Sequence, residues 1–501
     1  MVARGEYLMP RVALLGGAYQ ARSVIAAAQR CLNLYGEAMP AGQGDPVHPA
    51  LTGNRLLAAA STLTTYYPTP GLRLLSTAPQ GPIRGARLAP NGTLYVCAGS
   101  GIYSVTQAWA WTLVGSITVG ITTPVSMADN GLTLVIVDGT PNGWQIDLSN
   151  NTFSQISDTT GSFRGADRVD YLDTYLLFNV PGTPQFISSD SLATTFDPLW
   201  FANKQSYSDR LVTLCVAKRQ IWLLGTQSTE VWYNTGAADF PFQEQAGVFI
   251  PHGCAAKYSV ATVDNAVYWL SQTREGQGIV VEGAGYEVKR ISTFAIEAEI
   301  AGYATISDAI GMTYQLAGHM FYVLTFPSED KTWAFDKSTS LWHELAWIDT
   351  NGNEHRHRAN CALSAFGEVV IGDWQNGNLY ALDLSIQNDF GGPVKRVRSW
   401  PHLVADGQRI FYRQFLLDAE AGAGGGTVAE PYAVYLDWSD DRGHTFGNPV
   451  GQQLFGIGQY LTSMQWQRLG MARDRVFRVT WSVDVHTALQ GAWVDIEAAK
   501  S

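Results

Sequence analysis

Between residues 82 and 390 the apolar and polar positions follow one recurring phrase. A polar or glycine-containing turn is followed by a strongly apolar strand, and that strand leads to an acidic or polar residue with an aromatic six positions later. The apolar runs are Leu94–Ala98, Leu132–Val137, Tyr175–Asn179, Ile221–Leu224, Val267–Leu270, Met320–Leu324 and Glu368–Ile371. The second half of the phrase aligns without gaps in DLSNNTF, DSLATTF, NTGAADF and DKSTSLW, where Asp147, Asp190, Asn234 and Asp336 precede Phe153, Phe196, Phe240 and Trp342. Looser copies begin at Val105, Glu282 and Asp383, so successive starts are 42 to 54 residues apart. Asp or Asn opens a tight turn by bonding its own backbone, and the aromatic packs the returning strand. Units of this length, each a small antiparallel sheet that cannot cover both faces alone, predict a β-propeller. The count favours seven blades, with six as the alternative. Hairpins in a sandwich would have no reason to keep the period.

The flanks lack it. Residues 1–75 hold a helix-like stretch, Ala21–Arg30, and then the breaker-rich segments AMPAGQGDPVHPA and YYPTPGLRLL, which predict extended chain. In residues 391–501 strand-like runs recur without the period, among them RIFYRQFLLDAEAG, YAVYLDWSDD and GAWVDIEAA. The expected architecture is therefore all-β. A propeller over 76–390 is joined to a sandwich-like platform over 391–501, to which the N-terminal segment 1–75 contributes. The segment AGQGDPVHP is expected to order only on assembly.

Composition agrees with many short strands and tight turns. Of 501 residues 46% are apolar and 15% charged, against an ordinary charged share of about 25%, and 50 are glycine. The net charge of −11 gives no overall field that would attract nucleic acid. Two local basic clusters, Lys395-Arg396-x-Arg398 and Arg473, Arg475 and Arg478, read as solvated strand faces or subunit contacts. Five scattered cysteines, Cys31, Cys97, Cys215, Cys254 and Cys361, suit free thiols in a reducing compartment. No signal peptide is expected, since Val12–Leu15 runs at once into Gly16-Gly17. No apolar run approaches the roughly 20 residues of a membrane span.

Candidate chemistry is sparse. His355, His357 and Cys361 form the nearest thing to a ligand cluster, and Asp167, Asp170 and Asp173 alternate along one strand edge. Both sets read as structural, so no metal and no cofactor are expected. Phosphate-loop, zinc-protease and nucleophile-elbow patterns are absent. WSDDRGHTF (438–446) matches the Asp-box hairpin familiar from sialidases. In it Asp441 and Thr445 would hydrogen-bond the turn after Ser439, Gly443 would relieve a positive φ, and Phe446 would anchor the hairpin. A sialidase would also need an arginine cluster, a tyrosine nucleophile and several such boxes. With one strict match outside the repeat, the box is expected to be structural and no catalytic residue is assigned.

Several stretches resemble the packaged-DNA stabilisation proteins of short-tailed bacteriophages, which form the tail hub or nozzle. They are GGAYQARSVIAAAQRCLNLYGE (16–37), YYPTPGL (66–72), DRLVTLCVAKRQIWLLGTQSTEVWYNTG (209–236) and HRHRANCALSAFGEVVIGDWQNGNLYALD (355–383). WSDDRGHTF and QRLGMARDRVFRV (467–479) complete the set, in colinear order over most of the chain. The resemblance implies a non-enzymatic virion protein of the tail, assembled in the host cytoplasm as a homo-oligomer, a hexameric ring. It implies adaptor ring, tail fibres or spikes and a plug as partners, with packaged double-stranded DNA passing through without sequence-specific binding and without membrane insertion. A net acidic subunit fits such a conduit, because a basic lining would grip sliding DNA by counterion release. Acidic or neutral residues are therefore expected to face the lumen. The alternatives are a virion-associated glycan hydrolase on a propeller scaffold and a cytosolic propeller that binds proteins.

Overall fold

The computed structural model describes residues 11–14, 16–23, 30–38, 63–205, 207–272, 278–405, 407–420, 432–454 and 463–498. The centre of the helix expected at Ala21–Arg30 (24–29), the AGQGDPVHP segment (41–49) and the glycine run at 422–426 lie outside them.

Each period of the sequence folds as a four-stranded antiparallel meander. In blade one the strands are Ile83–Leu88, Leu94–Ala98, Gly101–Val105 and Trp111–Ser116. Blades two to six occupy residues 126–155, 169–203, 211–244, 261–290 and 310–344. Blade seven takes Ala359–Ala365, Glu368–Asp373 and Asn378–Asp383 in order, and its fourth strand is Gly71–Thr77 from the N-terminal side. Leu72 lies opposite Leu382, so a strand that precedes blade one closes the ring. The propeller has seven blades.

The apolar runs of the sequence are the second strands, and their burial explains why they read as continuous rather than alternating. Each is covered on both faces by neighbouring blades, as strands inside layered folds are. Leu94, Val96 and Ala98 face blade seven, packing with Val370 and Leu379, while Tyr95 and Cys97 face blade two with Leu134 and Ile136. The same division continues round the ring. Val135 meets Phe178, Leu177 meets Leu214, Cys215 meets Trp269, Tyr268 meets Tyr322, and Val323 meets Ile371. Truncating such a residue, Leu177→Ala for example, costs roughly 2–5 kcal/mol because no solvent face exists to relax into.

In blades two, four and six the Asp or Asn of the repeat ends the third strand and caps the turn to the fourth. Asp147 Oδ1 accepts from Ser149 N at 2.8 Å, Asp336 Oδ1 from Ser338 N at 2.8 Å and Asn234 Oδ1 from Gly236 N at 2.9 Å. Asp383 does the same for Ser385, but its aromatic is missing because blade seven draws its outer strand from elsewhere. In blades three to seven the first and second strands are joined by two-residue turns with both central residues at positive φ: Asp173-Thr174, Lys218-Arg219, Asp264-Asn265, Ala317-Gly318 and Phe366-Gly367. This handedness matches the strand twist and makes the tightest hairpins.

The platform is a sandwich. One sheet holds Leu34–Ala38, Leu63–Pro68, Leu489–Ala498, Ile410–Ala419 and Met464–Gln467, with Arg11–Ala13 and Met471–Ala472 added at its sides. The other holds Cys31–Leu32, Arg396–Ser399, Asp474–Trp481, Ala433–Ser439 and Val450–Gln453. Trp400, Phe415, Trp466, Phe477 and Trp481 fill the space between them. Their cluster is continuous with the interface of blades five and six, so propeller and platform share one apolar core. The helix Phe294–Ala301, capped by Thr293, packs into the same cluster through Ile296 and Ile300.

Candidate functional site

The second sandwich sheet is an extension of blade six. Leu32 pairs in parallel with Glu344, the last residue of that blade, and antiparallel with Val397 of the platform. Asn33 secures the splice from a left-handed conformation (φ 53°). Its Nδ2 donates to Ala346 O and Lys395 O at 2.9 Å each, and its Oδ1 accepts from Ala346 N at 3.0 Å. One buried amide thus ties three remote segments.

Charge is concentrated beside the splice. Arg30 Nη2 reaches Glu344 Oε2 at 3.2 Å and also contacts Glu354; Lys395 meets Glu354 at 2.8 Å, and the Tyr19 hydroxyl donates to Glu344. Burial lowers the Arg30 pKa, yet the carboxylates of Glu344 and Glu354 more than offset it and hold the guanidinium charged. Burial also opposes ionisation of Glu354, but Arg30 and Lys395 hold its carboxyl down at about 2. Burial, with Glu344 beside it, pushes the Tyr19 phenol well above its ordinary range.

The two basic clusters are corrected by the structure. Arg396, Arg398 and Arg475 are 0%, 1% and 2% exposed, so they are interior posts and not solvated strand faces. Arg396 donates to Val483 O at 3.1 Å and to Gln387 Oε1 at 2.8 Å, and burial lowers its pKa to about 10. Arg398 donates to Gly16 O and lies over the Tyr66 ring at 4.4 Å. Arg475 grips Asp440 with two bonds of 2.6 and 2.7 Å and stands 4.5 Å from the Tyr412 ring centre. A guanidinium tolerates such sites because its planar fork pairs a carboxylate bidentately while its face stacks on rings. Arg473 stays exposed.

Asp440 is the first aspartate of WSDDRGHTF, and that hairpin leads into Val450–Gln453 at the edge of its sheet. Ser439 Oγ donates to Asp441 Oδ1 at 2.6 Å and accepts from Gly443 N at 2.8 Å. Thr445 N and Thr445 Oγ1 donate to the two oxygens of Asp441 at 2.8 and 2.6 Å. The Ser439 and Thr445 bonds hold the Asp441 carboxyl well below the usual range. Gly443 has φ 87°, and Arg442 beside it is also left-handed at 64°. Phe446 is half-buried, with the Arg478 guanidinium 3.6 Å from its ring centre, and Arg478 in turn bonds Asp437. The polar side chains of Ser439, Asp441 and Thr445 are committed to the turn, and Asp440 to Arg475.

The other candidate residues are placed separately. His355 Nδ1 pairs with Asp330 at 2.7 Å and its ring stacks on Trp347. His357 is held neutral by burial, its pKa lowered to about 4, and burial raises the Cys361 thiol to about 12. Asp167 pairs with Lys257, Asp170 accepts from Val216 N, and Asp173 pairs with Arg219. Among the described residues no group of three or more His, Cys, Asp or Glu is placed to hold a metal ion, and no helix is long and apolar enough to cross a membrane.

The splice residues Tyr19, Arg30, Asn33 and Glu344 were not singled out from sequence. The only signal was polar residues interrupting an otherwise apolar block at 16–37.

Comparison with known families gives two matches. A family model described as bacteriophage P22 Gp10, β-propeller, matches residues 60–387, and one described as bacteriophage P22 Gp10, β-sandwich, matches residues 395–497. Comparison of the sequence with curated proteins finds no match. Among solved structures, the extracellular domain of the hybrid two-component system BT4673 from B. thetaiotaomicron aligns at 8% identity and TM-score 0.42, over 71% of this chain and 45% of that one. The WD40 propeller domain of Doa1 aligns at 10% identity and TM-score 0.39, over 63% and 98%. The N-terminal domain of Nup159 aligns at 11% identity and TM-score 0.40, over 63% and 95%.

Proposed function

The chain belongs to the bacteriophage P22 Gp10 family of structural tail proteins, and from that membership we propose that it builds the nozzle of a short-tailed phage tail. In this reading six copies form a ring below the portal and adaptor, close the DNA channel after packaging and guide the duplex outward on ejection. The subunit assembles in the host cytoplasm and offers docking surfaces to tail fibres or spikes and to a plug. It performs no catalysis.

The observation that carries the proposal is the splice. A ring that retains packaged DNA must bear outward load without its domains parting. A sheet running without interruption from blade six into the platform, over a shared apolar core, suits that duty better than a flexible linker. The box hairpin fits the same account, since Ser439, Asp441 and Thr445 are spent on the turn and Asp440 on Arg475. The net charge of −11 is compatible with a lumen along which DNA slides. Negative-stain images of the purified protein alone and with its adaptor ring test the reading. Six-fold rings support it, and a monomer that never assembles with the adaptor speaks against it.

A further inference from the structure

The joint between blades three and four encloses an ammonium and two carboxylates. Lys204 follows the outer strand of blade three, Phe201–Asn203, and Asp209 precedes the first strand of blade four, Leu211–Ala217. Glu230 stands on the third strand of blade four, Thr229–Asn234. The Lys204 and Glu230 side chains are fully buried and that of Asp209 nearly so. None of the three belongs to the splice or to the box hairpin.

The contacts arrange these groups for reaction as well as for attraction. Lys204 Nζ donates to Asp209 Oδ1 and, at 2.6 Å, to Ser228 Oγ, which donates in turn to the same Asp209 Oδ1 at 3.2 Å. A hydroxyl thus bridges the nitrogen and that oxygen. Asp209 Oδ2 accepts from the backbone N–H groups of Gln227 at 2.7 Å and Ser228 at 3.2 Å, a donor pair of the kind that stabilises a developing oxyanion. Glu230 Oε1 lies 3.8 Å from Nζ, while its Oε2 accepts from Trp232 Nε1 at 3.1 Å. A Cβ at Gly225 would strike Asp209 Oδ2 and Lys204 Cε, so the glycine lets the two side chains share this space. Burying two charges costs free energy that a neutral amide in their place would not.

We propose that Lys204 and Asp209 join in an isopeptide bond. Glu230 takes a proton from the ammonium, Nζ attacks Asp209 Cγ, and negative charge gathers on Oδ2 between the two N–H groups. The Cγ–Oδ1 bond then breaks. Oδ1 leaves as water, carrying one proton relayed by Ser228 and the one held by Glu230. Ammonium and carboxylate become one neutral amide and one water, with no oxidant or cofactor, once in the life of each chain. Ser208, Arg210 and Gln227 are exposed, so the water has a short way out. The five cysteines are free, and the amide closes the connection between two blades without them.

Mass spectrometry of the full-length protein, denatured and digested with trypsin, tests this. Cleavage after Lys204 is expected to fail, and Val169–Arg210 to appear as one peptide lighter than its sequence by one water. Its fragments should join Lys204 to Asp209. Glu230→Gln is expected to keep the full mass and to be cut after Lys204. If that variant does not fold, the wild-type digest decides alone. A wild-type peptide of full mass, a dehydrated chain still cut after Lys204, or complete crosslinking in Glu230→Gln overturns the proposal.

Discussion

Glu344 is paired in register with Leu32, although 312 positions of sequence separate them, and this contact joins a propeller blade to the platform. The carboxylate of Glu344 also takes Arg30 and Tyr19, so backbone and side chain of one residue serve the same junction.

Glu344→Gln removes the counter-charge while preserving shape. A partly buried guanidinium then keeps only Glu354, and the expected loss is roughly 2–3 kcal/mol of stability. Urea unfolding followed by tryptophan fluorescence measures it. An unchanged midpoint would mean the junction does not depend on the charge.

Arg475→Lys should cost about 1.5–3 kcal/mol, since an ammonium cannot form the paired bonds to Asp440 or stack on Tyr412. Limited proteolysis of the variant should cut the 438–447 hairpin faster than in the wild type. Equal cleavage rates would show that Asp440 and Arg475 do not hold it.

Thr174 is a β-branched residue at φ 86° in a two-residue turn, a conformation that its side chain disfavours. Thr174→Gly is expected to stabilise the protein by about 0.5–1 kcal/mol. Thermal melts of the pair settle the sign, and a lower midpoint for the variant contradicts the reading.

Stability should fall as the solution is acidified from about pH 6.5 to 4. His343 is buried and His357 half-buried, and desolvation lowers both pKa values to about 4, while the unfolded chain takes up their protons near 6.5. Their contribution is complete above the unfolded value and is lost through that window, by on the order of 3 kcal/mol each at most. Glu354, held at about 2, adds a further loss below the ordinary carboxylate range. His319 and His355 run the other way: hydrogen bonds to Asp336 and Asp330 raise them, so their contribution is present at low pH and fades as pH rises through the folded values. Melting points of His343→Phe against pH should be flatter than those of the wild type. Parallel curves would remove His343 from the account.

The propeller was legible because its second strands are buried on both faces and its turns reuse Asp or Asn at one spacing. Leu94–Ala98 or Tyr175–Asn179 could be read directly as strands for that reason. The aromatic of the phrase is missing after Asp383 because Gly71–Thr77, not the following chain, completes blade seven. The splice was not legible. Cys31–Leu32 is a two-residue strand without periodicity, and the partners of Asn33 lie more than 300 positions away. Arg396, Arg398 and Arg475 read as surface because charge alone suggests solvent; their burial depends on Gln387, Tyr66 and Asp440, which the fold brings from other segments. In the box hairpin the turn chemistry of Ser439, Asp441, Gly443 and Thr445 could be written from spacing. The guanidinium of Arg478 against Phe446 could not.

The central claim is that this subunit works as a ring. Cryo-electron microscopy of the purified chain with its adaptor ring tests it most directly. The account predicts six-fold particles whose blade six and platform move as one density and whose lumen is lined mainly by acidic and neutral side chains. Particles without closed rotational symmetry, or a lumen lined mainly by lysine and arginine, would contradict it.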